Sequence, residues 1–524
     1  MATGSELSYN TNASATQMAN TIMGDGVTVV GASYSGDSRS SGTYSRGDSR
    51  SPEATPGDTG VILSTGYVTN FTQSSGDPNR STSLSTDTSG VNNNSDFNAL
   101  AGTNTYDAAM LDVDFIPTGD TMTMTFTFAS EEYPEYINSI YNDMVGVWVN
   151  GSPVEVSYGN GDVSVTNVNG QSNSNLFINN TTDAYNTEMD GFTVTMSLTF
   201  AVIPGQVNSI RIGVADVSDS QYDSAILIAA DSVQTTLIAD DDSASVYADH
   251  ATTLDVLGND INTAGGTLSV THINGVAVVP GQTVTLPSGD QVTLNADMTL
   301  TFTADADAEE VAFTYAIANG QGDSDVGIIT IDTIPCFVAG TMILTPQGEV
   351  PVEALTPGDM VCTKDNGPQP LRWIGRREVA AEGAFAPIRI TAGTFGEHRT
   401  LTVSPLHRIL IRDRRAELLF GEAEVLVAAR DLVDGARVRA MPGGSVEYVH
   451  LLFDQHQVVF SEGLPTESFL PGPQMDRSFE AEIVAEICTL FPELDPATGG
   501  GYGAAARRTL RRYEARLLQL SAAA

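Results

Sequence analysis

Cys336 is the first of three cysteines in this 524-residue chain, the others being Cys362 and Cys488. A cysteine can rearrange the peptide bond that precedes it. Its thiolate attacks the carbonyl carbon of the residue before, here Pro335, and the amide becomes a thioester. Unaided, the reaction is slow, because an amide nitrogen leaves poorly and a thiol is mostly protonated at neutral pH. A competent site holds the thiolate against the carbonyl, supplies a proton to the departing nitrogen, and stabilises the oxyanion through a hydroxyl or backbone N–H. Joining both reactants in one chain contributes on the order of several kcal/mol through proximity.

The residues after Cys336 carry a recognisable order of blocks. Cys336-Phe337-Val338-Ala339-Gly340-Thr341 leads to Ile343, Thr345, Pro346, Gly348, Val352-Glu353 and Gly358-Asp359. Ser404-Pro405-Leu406-His407 follows, then Asp431-Leu432 with Gly435. Tyr448, His450, His456 and Glu462-Gly463-Leu464 up to Glu467-Ser468-Phe469 close the run. In this order the blocks resemble a Hedgehog/intein (Hint) domain of the bacterial variant over about 336–475, with Ser404 where the family's block has Thr. The resemblance implies an all-β, horseshoe-like fold and a single-turnover autocatalytic cleavage. It makes Cys336 the nucleophile at the Pro335–Cys336 bond, His407 the proton donor and Ser404 the helper at that bond. His450 and His456 are second candidates, for resolving the thioester, and Asp359 shapes its turn. Cys362 and Cys488 read as plain packing residues. None of the six histidines is followed by Asn, so cis-splicing has no chemistry to use. Cleavage, or acyl transfer to an external nucleophile, remains. Pro335 stiffens the scissile carbonyl. No cofactor is needed for this reaction.

Composition also changes at Cys336. Residues 1–335 carry 5 Arg, no Lys and 41 Asp+Glu, a net −36, whereas 336–524 carry 19 Lys+Arg and 24 Asp+Glu, a net −5, together the −41 of the whole chain. So negative a chain is a poor partner for nucleic acid or anionic membrane. A step this sharp marks a boundary between parts of different character. Such length predicts several domains.

The first part reads as mainly β. From Thr121 to Phe128, Thr alternates with Met or Phe, the pattern of a half-buried strand. Val145–Val149 and Ile210–Val214 look similar, no stretch before 236 shows strong helical periodicity, and the polar run 69–99 reads as a surface loop. Phe128-Ala129-Ser130-Glu131-Glu132-Tyr133 with Tyr141-Asn142-Asp143, Gly60–Gly66, Asp190-Gly191-Phe192 and Ala215-Asp216-Val217-Ser218-Asp219 to Asp223-Ser224 resemble the choice-of-anchor L domain of bacterial surface proteins. That resemblance spans 1–236 as a β-sandwich and implies a secreted or surface module. Its ligand, or the acceptor of the acyl group, would be extracellular. Glu131, Asp143, Asp190, Asp216, Asp219 and Asp223 suit Ca²⁺ by their hard oxygens, and equally suit turn capping. A hydrolase site built on Glu131 and Glu132 is disfavoured, since neighbours on a strand face opposite ways.

Residues 238–333 open on Asp240-Asp241-Asp242 and alternate at Val292/Leu294, Leu300/Phe302 and Phe313/Tyr315/Ile317, which fits one sandwich resembling Ig- or cadherin-like repeats. Residues 476–524 form an extension with a helix at 504–520, where Leu510, Tyr513, Leu517 and Leu520 share a face among Arg508, Arg512 and Arg516. The N-terminus lacks a basic region followed by an apolar run, so export without a standard signal peptide is expected, and no stretch is apolar enough to span a membrane. The alternative to a self-cleaving surface protein is a purely adhesive or structural one with an inactive Hint domain.

Overall fold

The computed structural model describes every residue except 1, 138, 155–156, 159–160, 246–250, 305–310, 333–335, 382–385, 421, 471–486, 492–501, 504, 511–514 and 516–524. The chain is mainly β throughout. Among the described residues no helix is long and apolar enough to cross a membrane.

The N-terminal region stacks two sheets. Thr121–Ser130 lies inside the larger one, pairing with Ser224–Ala229, Gly191–Thr193 and Met196–Ala201. The smaller sheet runs Val27–Ser35, Thr105–Pro117, Asn208–Val217, Met144–Val149 and Ser152–Pro153. Met122, Met124, Phe126 and Phe128 meet Val113, Phe115, Ile212 and Val214 in the core between them. That is the burial the alternation encodes. One short helix, Ala15–Ile22, escaped the periodicity reading because eight residues make barely two turns. Its signal lay in the ends instead: Ser14 and Gln17 form a reciprocal capping box, and Met18, Ala19 and Ile22 are buried.

Thr121–Ser130 departs from the half-buried expectation, because its threonine face is covered too. The cover is the next region. There, Asp242–Ser245, Ser324–Asp332, Val311–Ala318, Ser269–Ile273 and Val276–Ala277 form one sheet, with Asp242–Ser245 joining parallel. Ala251–Leu254, Leu300–Thr303, Gln291–Leu294 and Thr283–Thr285 form the other. Leu254, Val292, Leu294, Phe302, Phe313 and Tyr315 fill the space between. Asp325 reaches out of this sandwich, and its Oδ1 accepts the Thr123 and Thr125 hydroxyls at 3.1 and 3.2 Å. Its Oδ2 accepts the Ala239 N–H at 2.9 Å. The Ser197 hydroxyl donates to the Val326 carbonyl, and Asn175 bonds Asn274 and Ser288 at 2.8 Å each. Ala312 and Ile328 enter the N-terminal core.

The third region also has two sheets. One runs Trp373–Ala380, Ser445–Leu452, Phe337–Val338, Leu401–Val403, Ile388–Ile390 and Val438–Ala440. The other runs Gly348–Pro351, Met342–Thr345, Val458–Ser461, Leu464–Glu467, Arg408–Arg412 and Glu424–Ala428, with the hairpin Met360–Thr363 and Gly367–Pro370 at its side. Their shared core includes Phe337, Ile343, Val403, Val449, Leu451 and Phe453. Most of the helix expected at 504–520 lies outside the described residues; within it, 505–510 are extended, with Thr509 bridged in parallel to Leu426. Residues 487–490 make a short helical turn.

Asp325 ties the first two regions through two donors, the Thr123 and Thr125 hydroxyls, and holds a third, the Ala239 N–H, within its own region. Replacing it with Ala leaves those donors unpaired at roughly 1–3 kcal/mol for each that finds no other partner. Asp325→Ala is therefore expected to split one cooperative urea transition of the N-terminal regions into two, read by tryptophan fluorescence and far-UV circular dichroism. A single unchanged transition would show that the contact does not couple them.

Candidate functional site

Strand register builds the site around Cys336. Phe337 pairs antiparallel with Val403 on one side and Val449 on the other. One residue earlier, that register sets Cys336 between Ser404 and His450. Residues directly opposite in antiparallel strands share a face, and the contacts follow. The Cys336 N–H donates to Ser404 Oγ at 2.7 Å, and the Ser404 N–H donates back to the Cys336 carbonyl at 3.0 Å. Across the thiol, Cys336 Sγ lies 3.4 Å from His450 Nε2. Gly375 continues the row beyond His450. A Cβ there would meet the Trp373 indole at 2.2 Å, so only glycine fits.

Ala381, Val446 and Tyr448 bury Cys336. Burial pushes its thiol well above the usual range, against the opposing pull of Ser404 and Arg377. At rest the Cys336 thiol is neutral and lies beside an imidazole. Pro335, the residue before it, lies outside the described residues.

His407 is buried as well, but its ring packs on Phe337, with centroids 4.3 Å apart. Burial lowers its pKa to about 4, although the Glu467 charge opposes the shift. At neutral pH it is a neutral imidazole, and neither ring nitrogen has a hydrogen-bond partner among the described residues. His456 sits apart from the thiol row. Its Nε2 is 3.1 Å from the Ser468 carbonyl and 3.5 Å from Glu467 Oε2, and its Nδ1 accepts the Ala506 N–H at 2.9 Å. Of the four candidates beside Cys336, the fold brings Ser404 and His450 onto it, sets His407 on the neighbouring Phe337, and engages His456 elsewhere. Asp359 accepts from the Thr356 N–H and hydroxyl at 2.8 and 3.0 Å, holding its turn.

Sequence reasoning missed the Arg408–Glu467 pair. Glu467 is fully buried and accepts from the Arg408 backbone N–H at 2.8 Å and its guanidinium at 3.2 Å. Burial favours the neutral acid, but Arg408 and His456 outweigh it and bring Glu467 down to about 2. The available signal was local: Arg408 directly follows His407 in the sequence.

The six N-terminal carboxylates are spread over several hydrogen-bonded settings. Among the described residues no three His, Cys, Asp or Glu side chains converge as a metal site requires. Glu131 lies near Asp190 and Glu188, whereas Glu132 lies near Asp143 and Asp219, both residues sitting in the bend just past the strand Thr121–Ser130. Asp143 accepts the Val217 N–H and the Ser224 hydroxyl, and shares a hydrogen bond with Asp216. Asp223 accepts the Thr86 N–H and hydroxyl at 2.6 and 2.7 Å, Asp190 accepts from Asn79 at 2.6 Å, and Asp219 accepts the Gln221 N–H. The polar run 69–99 lies mostly at the surface, as expected of a loop, supplies donors to these acids from Asn79 and Thr86, and winds at its end into the helix Ser95–Ala101. Burial first, then Asp190, raises Glu131 to about 10; burial raises Asp190 and Asp223 to about 6. Glu132, Asp143 and Asp216 also shift upward through burial.

With the geometry in place, likeness to known proteins is specific. Residues 335–473 match the family model of the Hint domain, 7–234 that of the choice-of-anchor L domain, and 233–332 that of a bacterial Ig domain. The C-terminal segment is a Hint domain, the N-terminal segment a choice-of-anchor L domain, and the middle segment an Ig domain. Among solved structures, a splice-inactive variant of the AceL NrdHF class 3 split intein is 15% identical, with a TM-score of 0.20, over 26% of this chain and 97% of that one. The bacterial intein-like domain from Clostridium thermocellum is 18% identical, with a TM-score of 0.20, over 25% and 97%. The gp41-1 intein is 10% identical, with a TM-score of 0.17, over 25% and 97%. No curated protein matches the chain.

The buried acids make a pH prediction. A carboxyl whose folded pKa is raised holds its proton longer in the fold than in the unfolded chain. Its contribution to stability is therefore full below the unfolded value near 4.5 and is lost as pH rises through the folded value. Urea stability of the N-terminal regions is expected to fall steadily from pH 5 to pH 8. Glu131→Gln, which keeps the neutral shape, is expected to flatten that slope. A slope that is unchanged or inverted in the variant would mean that Glu131 is ionised in the fold.

Proposed function

We propose that the Hint domain cleaves its own chain at Pro335–Cys336 and so releases or transfers the N-terminal regions. The observation that carries this reading is the row His450–Cys336–Ser404, with the imidazole 3.4 Å from the thiol and the Cys336 N–H held at 2.7 Å. Because burial keeps the thiol protonated, attack must be concerted with proton removal. His450 Nε2 accepts the thiol proton as Sγ adds to the Pro335 carbonyl carbon. The carbon–nitrogen bond to Cys336 then breaks, and the nitrogen takes a proton to leave as the amine. The proton that His450 has just taken from the thiol is the one available for that step, and His407, a neutral imidazole beside Phe337, serves as donor by relaying it, taking a proton at one ring nitrogen as it gives one from the other. The acyl group now rests on Sγ as a thioester. Water or an external thiol, amine or hydroxyl then adds to the carbonyl, and Sγ leaves and recovers its proton. Ser404 keeps the amide nitrogen in register throughout. No metal or cofactor enters these steps.

The choice-of-anchor L match, together with the cysteine-free, net −36 composition of residues 1–335, supports a secreted or cell-surface protein whose displayed part is the N-terminal sandwich. One observation favours the rival reading of an inactive, purely structural chain: the thiol is fully enclosed and held neutral at rest.

Intact mass of the purified protein, with and without dithiothreitol, decides between them. Wild type is expected to yield pieces of 335 and 524 − 335 = 189 residues, faster with thiol. Cys336→Ala abolishes this, while His450→Ala and His407→Ala each slow it by roughly 10²–10⁴. Cys362→Ala and Cys488→Ala leave it unchanged. A wild-type chain that stays whole through long incubation with excess thiol sinks the cleavage reading.

A further inference from the structure

The buried acids of the N-terminal sandwich differ in how many of their oxygens are used. Asp223 and Glu188 have both engaged. Asp223 accepts from the Thr86 N–H and hydroxyl, and Glu188 accepts from the Arg80 N–H at 3.0 Å and the Gln73 carboxamide at 2.6 Å. Glu131 and Asp190 are fully buried, yet Glu131 Oε1 and Asp190 Oδ2 have no hydrogen-bond partner among the described residues. Asn79, only 6% exposed, is in the same position. Its Nδ2 donates to Asp190 Oδ1 at 2.6 Å, and its Oδ1 is left without a donor.

Backbone pairing brings these three side chains to one place. Gly191 lies directly opposite Ser130, so the next pair outward is Asp190 and Glu131. Glu131 has left the strand, but its N–H still bonds the Asp223 carbonyl at 3.1 Å, and the Asp190 carbonyl is held by the Asn180 N–H at 2.8 Å. The Asn79 bond then hangs a carboxamide on the Asp190 carboxylate and fixes its orientation, since a flipped amide would set oxygen against oxygen. What meets here is two acids and one carboxamide, not three acids.

Buried oxygens without a donor are costly, and folded proteins keep few of them. Three in one small cluster share one remedy, a cation. Arg80, next to Asn79 in the chain, does not supply it: its guanidinium turns to the Ser75 carbonyl. Ca²⁺ takes carboxylate and carboxamide oxygens at about 2.3–2.6 Å in irregular geometry, whereas Mg²⁺ demands a near-octahedral shell and keeps several waters, which side chains this buried leave little room for.

We propose that Glu131, Asp190 and Asn79 bind a Ca²⁺ ion through Glu131 Oε1, Asp190 Oδ2 and Asn79 Oδ1. Asn79 belongs to the polar run 69–99, and the two acids flank paired strands, so the ion pins that run to the sandwich. Without the ion, Glu131 keeps its proton beside Asp190. On binding, the ion takes the proton's place and the proton passes to the buffer.

The test uses the full-length Cys336→Ala chain, which has no nucleophile at 336, so its outcome does not depend on the cleavage reading. After ions are removed with EGTA, Ca²⁺ at about 10 mM is expected to raise the melting temperature of the N-terminal regions by roughly 5 °C. Titration calorimetry is expected to give a dissociation constant on the order of 0.1–1 mM, the class of sites with few charged ligands. Mg²⁺ at the same concentration is expected to do far less. Glu131→Gln and Asp190→Asn, neutral and nearly the same shape, are each expected to weaken binding at least roughly tenfold and to remove most of the shift. Asn79→Asp adds a third carboxylate. It is expected to tighten binding about tenfold while lowering the melting temperature in EGTA. That gain decides the matter even if the other two variants fail to fold. A wild-type sandwich that shows neither shift nor heat with Ca²⁺ overturns the proposal. An equal shift from Mg²⁺ overturns it too, as a general response to the −36 charge. So does a Ca²⁺ shift that survives in both Glu131→Gln and Asp190→Asn, or an Asn79→Asp chain that binds no more tightly than wild type.

Discussion

The two-way clamp between Cys336 and Ser404 is the constraint on which the arrangement around the Hint domain's thiol depends. The Cys336 N–H and carbonyl are both tied to one residue on the neighbouring strand. A residue whose N–H and carbonyl are both anchored to one neighbour is held on its two flanking peptide groups, and its thiol faces along its row, toward His450 on the strand at the other side. Everything else around the site supports that row. The apolar cover of Ala381, Val446 and Tyr448 keeps the thiol neutral, and the Phe337 ring on the next position carries His407. The site is thus a consequence of sheet register: a slip by one residue would turn the thiol away from the imidazole.

Buried ionisable groups are handled in two opposite ways along the chain. In the choice-of-anchor region, acids face other acids, with few cations nearby: only five arginines and no lysine occur before Cys336. The cheaper state there is protonation, helped by donors from the overlying 69–99 segment and by the shared hydrogen bond of Asp143 and Asp216. In the Hint domain, Glu467 is equally buried but lies against Arg408, so it remains ionised. The first arrangement packs acid against acid inside a sandwich. The second places a fixed negative charge among histidines, which is useful where a proton must move.

How much of this was legible beforehand depended on the range of the interaction. Strand alternation is a property of adjacent residues, and it set out the faces of Met122–Phe128 and of Phe313–Ile317 well. The break at Cys336 and the order of blocks after it were equally plain. The sheet threonines misled, because nothing near them in sequence announces that Asp325, some two hundred residues on, will cover them. The helix Ala15–Ile22 was too short for its period to register, and the stretch 505–510 carries apolar and basic residues that suit a helix yet runs extended where Leu426 offers a strand edge.

By itself, then, the sequence determined the mainly β character, the three-part order, the acidic composition of the first two parts and the cysteine at which the third begins, since each follows from local pattern or composition. Tertiary structure decided which imidazole meets the thiol. Four histidines follow Cys336, His398, His407, His450 and His456, and SPLH made His407 the first choice. Only the pairing of Phe337 with Val449 brings His450, 114 residues away in the chain, to the sulfur. Register between distant strands depends on the fit of the whole core, and no short stretch of residues encodes it.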